Sequence, residues 1–360
     1  ELRNPANALV AAVVSYSSST RTATLTPVSP LLSSTTYTAR VVGGGSGVRD
    51  LAGNRLTGDV TWNFGTVSLT GACAANAITA ENCLPGNPRS EWDVTGAGDL
   101  TIQGFATDIS VNRGQSVQFK VSTDAAAYRI DIYRLGWYGG LGARKVATVT
   151  PSASLPQNQP NCLSDSTTGL VDCGNWAVSA SWAVPASATS GVYIARLVRT
   201  DTGGASHVVF VVRNDAAANG VLFQTSDTTW QAYNNYGGNS LYQGAPAGRA
   251  YKVSYNRPFN TRNVDNGQDW LFNAEYPMIR WLEQNGYDVS YITGVDSDRF
   301  GTLLRSHRAF LSVGHDEYWS GQQRANVEAA RDAGVHLAFF SGNEVFWKTR
   351  WEPSIDAANT

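Results

Sequence analysis

The spacing of apolar residues changes near Asn214 and Asp215, and this change limits what the chain can fold into. Before it, apolar and polar residues alternate in short runs, for example at 128–134 and 206–212. Such alternation is typical of half-buried strands. After it, strand-like apolar runs, such as 288–293 and 308–313, alternate with helices predicted at 272–285 and around 298–306. Because strand–helix alternation with short connections gives a parallel sheet, the sequence predicts all-β domains followed by an α/β domain.

The first 69 residues carry motifs of a bacterial surface module. Thr36-Tyr37-Thr38 and Asp50-Leu51-Ala52-Gly53-Asn54 lie among short strand-like runs, and with residues 20–30 they resemble the bacterial Ig-like domain family. The resemblance implies a β-sandwich that acts as a spacer. The opening strands of that family have no counterpart here, so we expect the chain to begin inside this domain.

Length and pattern together predict three domains, because 360 residues exceed what one ordinary core organises. We expect the first Ig-like β-sandwich at 1–69 and a second Ig-like β-sandwich at 70–215. An α/β domain with a parallel sheet is expected at 216–360. Loops carry chemistry on such scaffolds, and only the third domain has loops rich in suitable side chains.

Charge and hydropathy exclude two classes of partner. Lys and Arg number 27 against 29 Asp and Glu, and only 16% of residues are charged, so no basic surface for nucleic acid is predicted. No run of about 18 apolar residues occurs, so we expect no transmembrane segment. The Ig-like resemblance suggests a polymer of the cell envelope as substrate, and a small molecule is the alternative.

The four cysteines fall into two close pairs in loop-like sequence. We favour the pairings Cys73–Cys83 and Cys162–Cys173 among the three that are possible. A zinc site is the alternative, but no histidine is close in sequence and the spacing is not that of a zinc ribbon. Because disulfides persist in oxidising compartments, the sequence predicts a secreted or cell-surface protein.

Polar side chains follow three predicted strands of the α/β domain. Tyr233 comes shortly after the first strand, His315 and Glu317 after the strand that ends near Gly314, and Glu344 after the last strand. In a parallel sheet these strand ends meet at one edge, where ligands bind. We expect Asp316 to cap the next helix or face solvent, and an ion pair with Arg280 or Arg350 is the alternative for Glu344.

Several common catalytic arrangements do not fit this edge. All cysteines precede residue 174, which excludes a cysteine nucleophile in the α/β domain, and no G-x-S-x-G elbow supports a serine nucleophile. No H-E-x-x-H zinc motif is present, and His307 and His336 lie at strand starts. Tyrosine and carboxylate oxygens remain, and these are hard donors suited to a hard cation.

Residues from about 217 to 360 resemble the C-terminal domain of the N,N-dimethylformamidase large (beta) subunit. The motifs that carry the resemblance are residues 230–235 (WQAYNN), Tyr276-Pro277 with 281–283 (WLE), 286–289 (GYDV), 314–319 (GHDEYW), and 341–343 (SGN) with Phe346-Trp347. The resemblance implies an amidotransferase-like or flavodoxin-like α/β fold that continues past residue 360. The remaining parts of a longer polypeptide would then complete it.

The family resemblance also implies a metal site. In that family, an iron ion held by two tyrosines and a glutamate hydrolyses a formamide. The glutamate maps onto Glu317 and one tyrosine onto Tyr233. The second tyrosine resembles Tyr255 most, with Tyr251 and Tyr236 as alternatives.

The resemblance and the strand-end pattern support one main hypothesis and two alternatives. The main one is a secreted iron-dependent hydrolase of an amide-type C–N bond, with metal ligands Tyr233, Tyr255 and Glu317, and with His315 and Glu344 as further catalytic residues. The first alternative is a non-catalytic, glycan-binding surface protein with a degenerate α/β domain, in which the aromatic turn at 136–140 would bind sugars. The second is a polysaccharide hydrolase that uses Glu317 and Glu344 as paired acids.

Overall fold

The computed structural model describes residues 1–18, 21–28, 31–32, 35–50, 52–66, 73, 75–218, 220–263 and 269–354. The chain divides into two compact units, Glu1–Ala75 and Asn76–Thr360. The division into three domains stays a prediction. None of the helices in the described part combines the length and apolar character that crossing a membrane requires.

The first unit is built from short antiparallel strands. They are β1 (Leu2–Arg3), β2 (Ala12–Ser17), β3 (Thr22–Pro27), β4 (Thr36–Val41) and β5 (Val60–Gly65). Strands β1, β4 and β5 form one sheet in that order, and β2 pairs with β3. Among the described residues of this unit, Tyr37 and Leu2 are buried hydrophobic side chains, and the Tyr37 ring stacks on Phe64 at 6.0 Å.

The second unit opens with two short helices, α1 (Ala77–Asn82) and α2 (Arg89–Trp92), and continues into a β-sandwich. One sheet has the order β10-β9-β14-β15-β7 and the other the order β13-β8-β6. Their bounds are β6 (Ile102–Ala106), β7 (Ser110–Asn112), β8 (Ser116–Thr123), β9 (Tyr128–Leu135), β10 (Ala143–Val149), β13 (Ala180–Ala183), β14 (Gly191–Arg199) and β15 (Ala205–Arg213).

Aromatic side chains from both sheets fill the sandwich. Phe119, Trp182 and Phe210 are buried, and Phe210 contacts each of the other two edge to face, with ring centroids 5.8 and 6.1 Å apart. A hairpin of β11 (Leu163–Asp165) and β12 (Leu170–Asp172) leaves the sandwich, and the disulfide Cys162–Cys173 closes its base. Cys73 and Cys83 are disulfide-bonded as well, and none of the described cysteines is free. The expectation of two disulfides is confirmed.

A four-stranded parallel sheet follows. Its order is β17-β16-β18-β20, from β16 (Val221–Thr225), β17 (Val289–Thr293), β18 (Ala309–Gly314) and β20 (His336–Ser341). The helices are α3 (Asp227–Tyr233), α4 (Glu275–Gln284), α5 (Gly294–Arg299) and α6 (Gly321–Asp332), and β19 (Tyr318–Ser320) pairs with β21 (Trp347–Thr349). Since β16 lies between β17 and β18, the direction of winding reverses between β16 and β18. Ligands bind at such a switch point.

The predicted strands of this sheet are confirmed, but one helix is displaced. It was expected around 298–306, whereas α5 begins at Gly294 and is followed by a 3-10 turn, Leu303–Ser306. The reason is a capping box, in which the Thr293 hydroxyl accepts from the Asp296 amide and the Asp296 carboxylate accepts from the Thr293 amide. The amidotransferase-like or flavodoxin-like type stays a prediction.

The sandwich and the parallel sheet pack on each other through a buried ion pair. Arg134 of β9 and Glu283 of α4 are both fully buried and form two hydrogen bonds, at 2.7 and 3.0 Å. The aromatic turn at 136–140 belongs to the same interface. Tyr138 is buried and donates to Glu81, and the Arg280 guanidinium lies 5.2 Å from the Trp137 ring. This packing opposes a sugar-binding role for the turn.

Candidate functional site

The edge of the sheet at the end of β18 is shaped by a tight turn. Gly314 has φ of 89°, which glycine adopts without strain. A Cβ at this position would lie 3.2 Å from the Glu275 carboxyl group and 3.3 Å from Ser226 Oγ. The turn therefore fits closely against α4 and the β16 end. It brings the next residues, His315 to Glu317, to the switch point between β16 and β18.

Three side chains converge at this point. His315 Nδ1 is hydrogen-bonded to Asp269 Oδ1 at 2.9 Å and lies 3.7 Å from Glu317 Oε1. Potential ligand atoms of all three residues lie within 4.8 Å of one another. Asp269 and Glu317 are buried, whereas 41% of the His315 side chain is exposed. The group is thus open to solvent on the histidine side.

Three tyrosines surround the same carboxylate. The Tyr242 hydroxyl donates to Glu317 Oε2 at 3.3 Å and makes a short hydrogen bond with the Tyr318 hydroxyl. Its ring stacks on Tyr233 at a centroid distance of 4.2 Å. Burial raises the pKa of Tyr233 far above its ordinary value, and a hydrogen bond with Tyr242 and the charges of Asp269 and Glu317 raise it further. We call Tyr233, Asp269, His315 and Glu317 the candidate centre.

The turn after β20 borders the candidate centre. Gly342 lies next to His315 Nε2, since a Cβ there would be 3.5 Å from that nitrogen. Asn343 and Val345 have φ of 57° and 52°. The left-handed region is unusual for a β-branched residue such as valine, and strained backbone of this kind clusters at functional sites.

Glu344 projects from this turn toward β18. Ser312 Oγ lies 3.3 and 3.4 Å from its two carboxylate oxygens. The cations named as alternative partners are engaged elsewhere, since Arg280 donates to the Gly140 carbonyl and Arg350 pairs with Glu352. Burial raises the pKa of Glu344. A carboxyl group of this kind holds its proton to a higher pH than an exposed one.

The prediction for Asp316 is wrong. The side chain neither caps α6 nor faces solvent. It is fully buried and accepts hydrogen bonds from Ser312 Oγ at 2.7 Å and Gln224 Nε2 at 2.6 Å. Ser320 caps α6 instead, accepting from the Gln323 amide. Because burial raises the pKa of Asp316 well above its usual range, and the nearby Glu344 charge adds to this, its carboxyl group favours the neutral form.

The structure does not bring Tyr255 to the candidate centre. Its buried hydroxyl donates to Asp227 Oδ2 at 2.7 Å, and its ring packs on Trp351. The two alternative tyrosines also lie apart from the centre. Tyr251 is half-exposed, and its ring is covered by the Arg249 guanidinium. Tyr236 lines an open cleft next to the β11–β12 hairpin. Asp269 and Tyr242 occupy the places beside Glu317 instead.

Asp269 and Tyr242 were not among the predicted site residues, because neither follows a strand. Tyr242 lies in a glycine-rich loop and Asp269 precedes Trp270 in an irregular segment, so no periodic pattern marks them. Tyr318 belongs to the same Gly-His-Asp-Glu-Tyr-Trp motif as Glu317, and the motif itself is the only signal for it.

Another buried carboxyl group, Glu275, lies beneath the Gly314 turn. It accepts hydrogen bonds from Trp230 Nε1 at 2.8 Å and from the Ser226 amide at 3.3 Å. Burial raises its pKa to about 7 from an ordinary 4.5. A carboxyl group whose pKa is raised by folding stabilises the fold fully at pH values below its pKa in the unfolded chain. This contribution disappears as the pH rises through its pKa in the folded protein.

Glu275→Gln is therefore expected to make stability less sensitive to pH. The free energy of unfolding of the wild type should fall by about 2–3 kcal/mol relative to the variant between about pH 4.5 and pH 8, at about 1.4 kcal/mol per pKa unit. Urea unfolding across this range measures it, with the exposed Glu91→Gln as control. An unchanged slope in Glu275→Gln would show that Glu275 titrates normally.

Comparison with known proteins gives a family for most of the second unit. A family model described as "N,N-dimethylformamidase beta subunit-like, C-terminal" matches residues 129–359, and one described as a bacterial Ig-like domain matches residues 2–66. The first match begins in the sandwich, well before the motifs around residue 217. It therefore covers sandwich strands as well as the parallel sheet.

Individual relatives agree with the family model. The N,N-dimethylformamidase beta subunit of Paracoccus aminophilus is 32% identical over 122 residues, covering 31% of this chain and 16% of the relative. That of an Alcaligenes species is 30% identical over 128 residues, covering 33% of this chain and 16% of the relative. The matched segments thus span about a sixth of each relative.

Among solved structures, the chain is similar to a fungal alcohol oxidase of the AA5 family in complex with copper. The identity is 14%, the TM-score is 0.21, and the match covers 56% of this chain and 35% of the oxidase. A similarity this low supports no argument about fold or function.

Proposed function

This chain belongs to the N,N-dimethylformamidase beta subunit-like C-terminal family, and from that premise and the site geometry we propose that it is a metal-dependent hydrolase of an amide C–N bond. The observation that carries the proposal is the convergence of Asp269, His315 and Glu317 at the switch point, with ligand atoms within 4.8 Å. Formamides such as N,N-dimethylformamide are the first substrates to test, since the curated relatives are named for that activity.

The donor set fits a divalent metal. Glu317 Oε1 is buried and accepts no hydrogen bond from the part of the chain that the structure describes. Burial raises the pKa of Glu317, and the charge of Asp269 raises it further. A cation between these two carboxylates would offset both effects. Carboxylate, phenol and imidazole together suit iron, which is the metal we propose.

We assign Tyr233, Asp269 and Glu317 as the residues that would hold the metal, with Asp269 in the place expected for Tyr255. When bound, the metal would polarise the amide carbonyl and make water a stronger nucleophile at neutral pH. Asp269 also holds the His315 ring through Nδ1, which leaves Nε2 directed away from the hydrogen bond. A carboxylate that orients an imidazole in this way prepares the other nitrogen to accept a proton.

The protein's own residues would move two protons during hydrolysis. Water adds to the carbonyl carbon as His315 Nε2 accepts one of its protons. The C–N bond then breaks as a proton reaches the leaving nitrogen, so one amide and one water give one carboxylic acid and one amine. Glu344 is suited to donate that proton, because burial raises its pKa and it lies on the turn beside His315, and the proton accepted by His315 would then replace the one that Glu344 gave up.

The disulfides support placing this activity outside the cytoplasm. The redox conditions that maintain disulfides are those of secreted and surface proteins. The Ig-like module at residues 2–66 is consistent with a spacer role there. We therefore propose a secreted or cell-surface hydrolase whose substrate is a small amide or an amide-bearing envelope polymer.

A pair of substitutions tests the ligand assignment. Asp269→Asn is expected to weaken iron binding at least 10-fold, because it removes the negative charge of a proposed metal ligand and leaves a weaker, uncharged acceptor for His315. Tyr255→Phe is the matched control and should leave iron affinity unchanged, since its hydroxyl bonds Asp227. Isothermal calorimetry under anaerobic conditions measures both. If Tyr255→Phe lost iron and Asp269→Asn kept it, the assignment would be reversed.

A further inference from the structure

The loop that carries Tyr242 is held from outside the parallel sheet. Its base is anchored by two backbone hydrogen bonds, from the Leu241 amide to the Ala232 carbonyl at 3.0 Å and from the Ala250 amide to the Ser240 carbonyl at 2.7 Å. The first bond ties the loop to α3 one residue before Tyr233. These bonds leave most of the loop to be positioned by other contacts.

The disulfide-closed hairpin of the sandwich supplies several of those contacts, and Arg257 Nη1 adds one by donating to the Asn239 carbonyl at 2.8 Å. At its tip, the Gly169 carbonyl accepts from Asn239 Nδ2 at 2.8 Å and the Thr168 carbonyl accepts from the Tyr251 amide at 2.7 Å. Hairpin backbone thus bonds to both ends of the loop. Gly169 has φ of 75°, and a Cβ there would overlap the Ala245 carbonyl oxygen.

The base of the hairpin is joined to the segment that follows the loop. The Cys173 amide donates to the Asn256 carbonyl at 2.6 Å, and the Asp172 carboxylate accepts from Ser254 Oγ at 2.9 Å. Along the hairpin, Val171 leaves no room for a Cβ on Gly237. The hairpin is therefore in contact with the chain before, within and after the loop.

Tyr242 is the residue through which this support reaches the site. It is the loop side chain that hydrogen-bonds Glu317 and Tyr318 and stacks on Tyr233. About 42% of Tyr242 is exposed, so its own burial fixes it only in part. Groups that hydrogen-bond a metal's ligands orient them, and their loss weakens metal binding about 10–100-fold.

We propose that the Cys162–Cys173 hairpin is a positioning element of the candidate centre, which holds the 239–251 loop so that Tyr242 orients Glu317 and Tyr233. The inference rests on the proposed metal site for its effect on affinity, while the mechanical link between hairpin and loop stands on the contacts themselves. A β-sandwich hairpin would then contribute to a site whose other residues lie in and around the parallel sheet.

Two glycine substitutions separate this role from general backbone strain. Gly169→Ala introduces a side chain at positive φ that also overlaps the loop, whereas Gly203→Ala introduces one at φ of 73° with open space around it. Both variants should lose a similar free energy of unfolding, because each places a side chain at positive φ. Only Gly169→Ala should speed hydrogen exchange of the Leu241 and Ala250 amides, at least 10-fold. The amides of α6 should exchange at the wild-type rate in both variants.

Iron affinity provides the second readout. Gly169→Ala and Tyr242→Phe are expected to weaken iron binding about 10-fold or more, with Gly203→Ala and Tyr251→Phe unchanged. If the loop amides exchange alike in both glycine variants, the hairpin does not hold the loop and the inference fails, whether or not iron binds. If the wild type binds no iron while the exchange difference is present, the proposed function fails and the mechanical link stands. Normal iron affinity in Gly169→Ala and Tyr242→Phe would overturn the positioning role.

Discussion

Glu317→Gln is expected to abolish amide hydrolysis, with a loss of at least 100-fold, and to leave the protein folded. Glu317 combines a buried oxygen that accepts no hydrogen bond among the described residues with close approaches to His315 and Tyr242. Glutamine keeps the shape and the acceptor for Tyr242 but removes the negative charge that a divalent metal needs. The loss is measured as the rate of dimethylamine release from N,N-dimethylformamide.

The control for this substitution is Glu328→Gln on α6. Glu328 is half-exposed and pairs with Arg324 at the surface, so its replacement should change neither hydrolysis nor stability measurably. Because burial raises the pKa of Glu317, the neutral glutamine should fold at least as stably as the wild type at neutral pH. A Glu317→Gln protein with full activity would exclude Glu317 as a ligand.

Glu283→Ala is expected to cause the largest loss of stability, about 3–5 kcal/mol. Removing one partner of a buried ion pair leaves an uncompensated charge, here the Arg134 guanidinium. Glu283 also accepts from Tyr291 at 2.8 Å and from Asn82 at 2.7 Å, so two further donors lose their partner. Urea denaturation of the wild type and the variant measures the difference.

The double variant Arg134→Met/Glu283→Leu separates the charge from the packing. Replacing both partners by apolar side chains removes the uncompensated charge, so the double variant should be less destabilised than Glu283→Ala. Glu328→Ala, which breaks the surface pair with Arg324, should cost less than about 1 kcal/mol. A loss from Glu283→Ala no larger than that of Glu328→Ala would show that the buried pair does not hold the sandwich on the sheet.

The sequence predicted those parts of the site that follow strands, and the physical reason is periodicity. The apolar run before Gly314 indicates a buried strand, so His315 and Glu317 had to appear at its carboxyl end. Asp269 and Tyr242 reach the same point through irregular segments whose course depends on tertiary contacts, such as the hairpin bonds to Asn239 and Tyr251. Local patterns do not encode such contacts.

Asp316 and Tyr255 also have hydrogen-bond partners that local sequence patterns do not indicate. A polar residue in a strand-to-helix turn is usually a cap or exposed, but Gln224 on the neighbouring strand supplies a donor that makes burial of Asp316 tolerable. Tyr255 is the second tyrosine that the family resemblance favours, yet its hydroxyl bonds the buried Asp227. Which oxygen reaches Glu317 is decided by packing between distant segments.

The most direct test of the proposed metal site is an anaerobic calorimetric titration of the metal-free wild type with iron(II), alongside Glu317→Gln. We expect one equivalent of iron per wild-type chain and an affinity at least 100-fold weaker in Glu317→Gln. Binding of no iron by the wild type, or equal binding by both proteins, would contradict this expectation and would favour a non-catalytic surface protein.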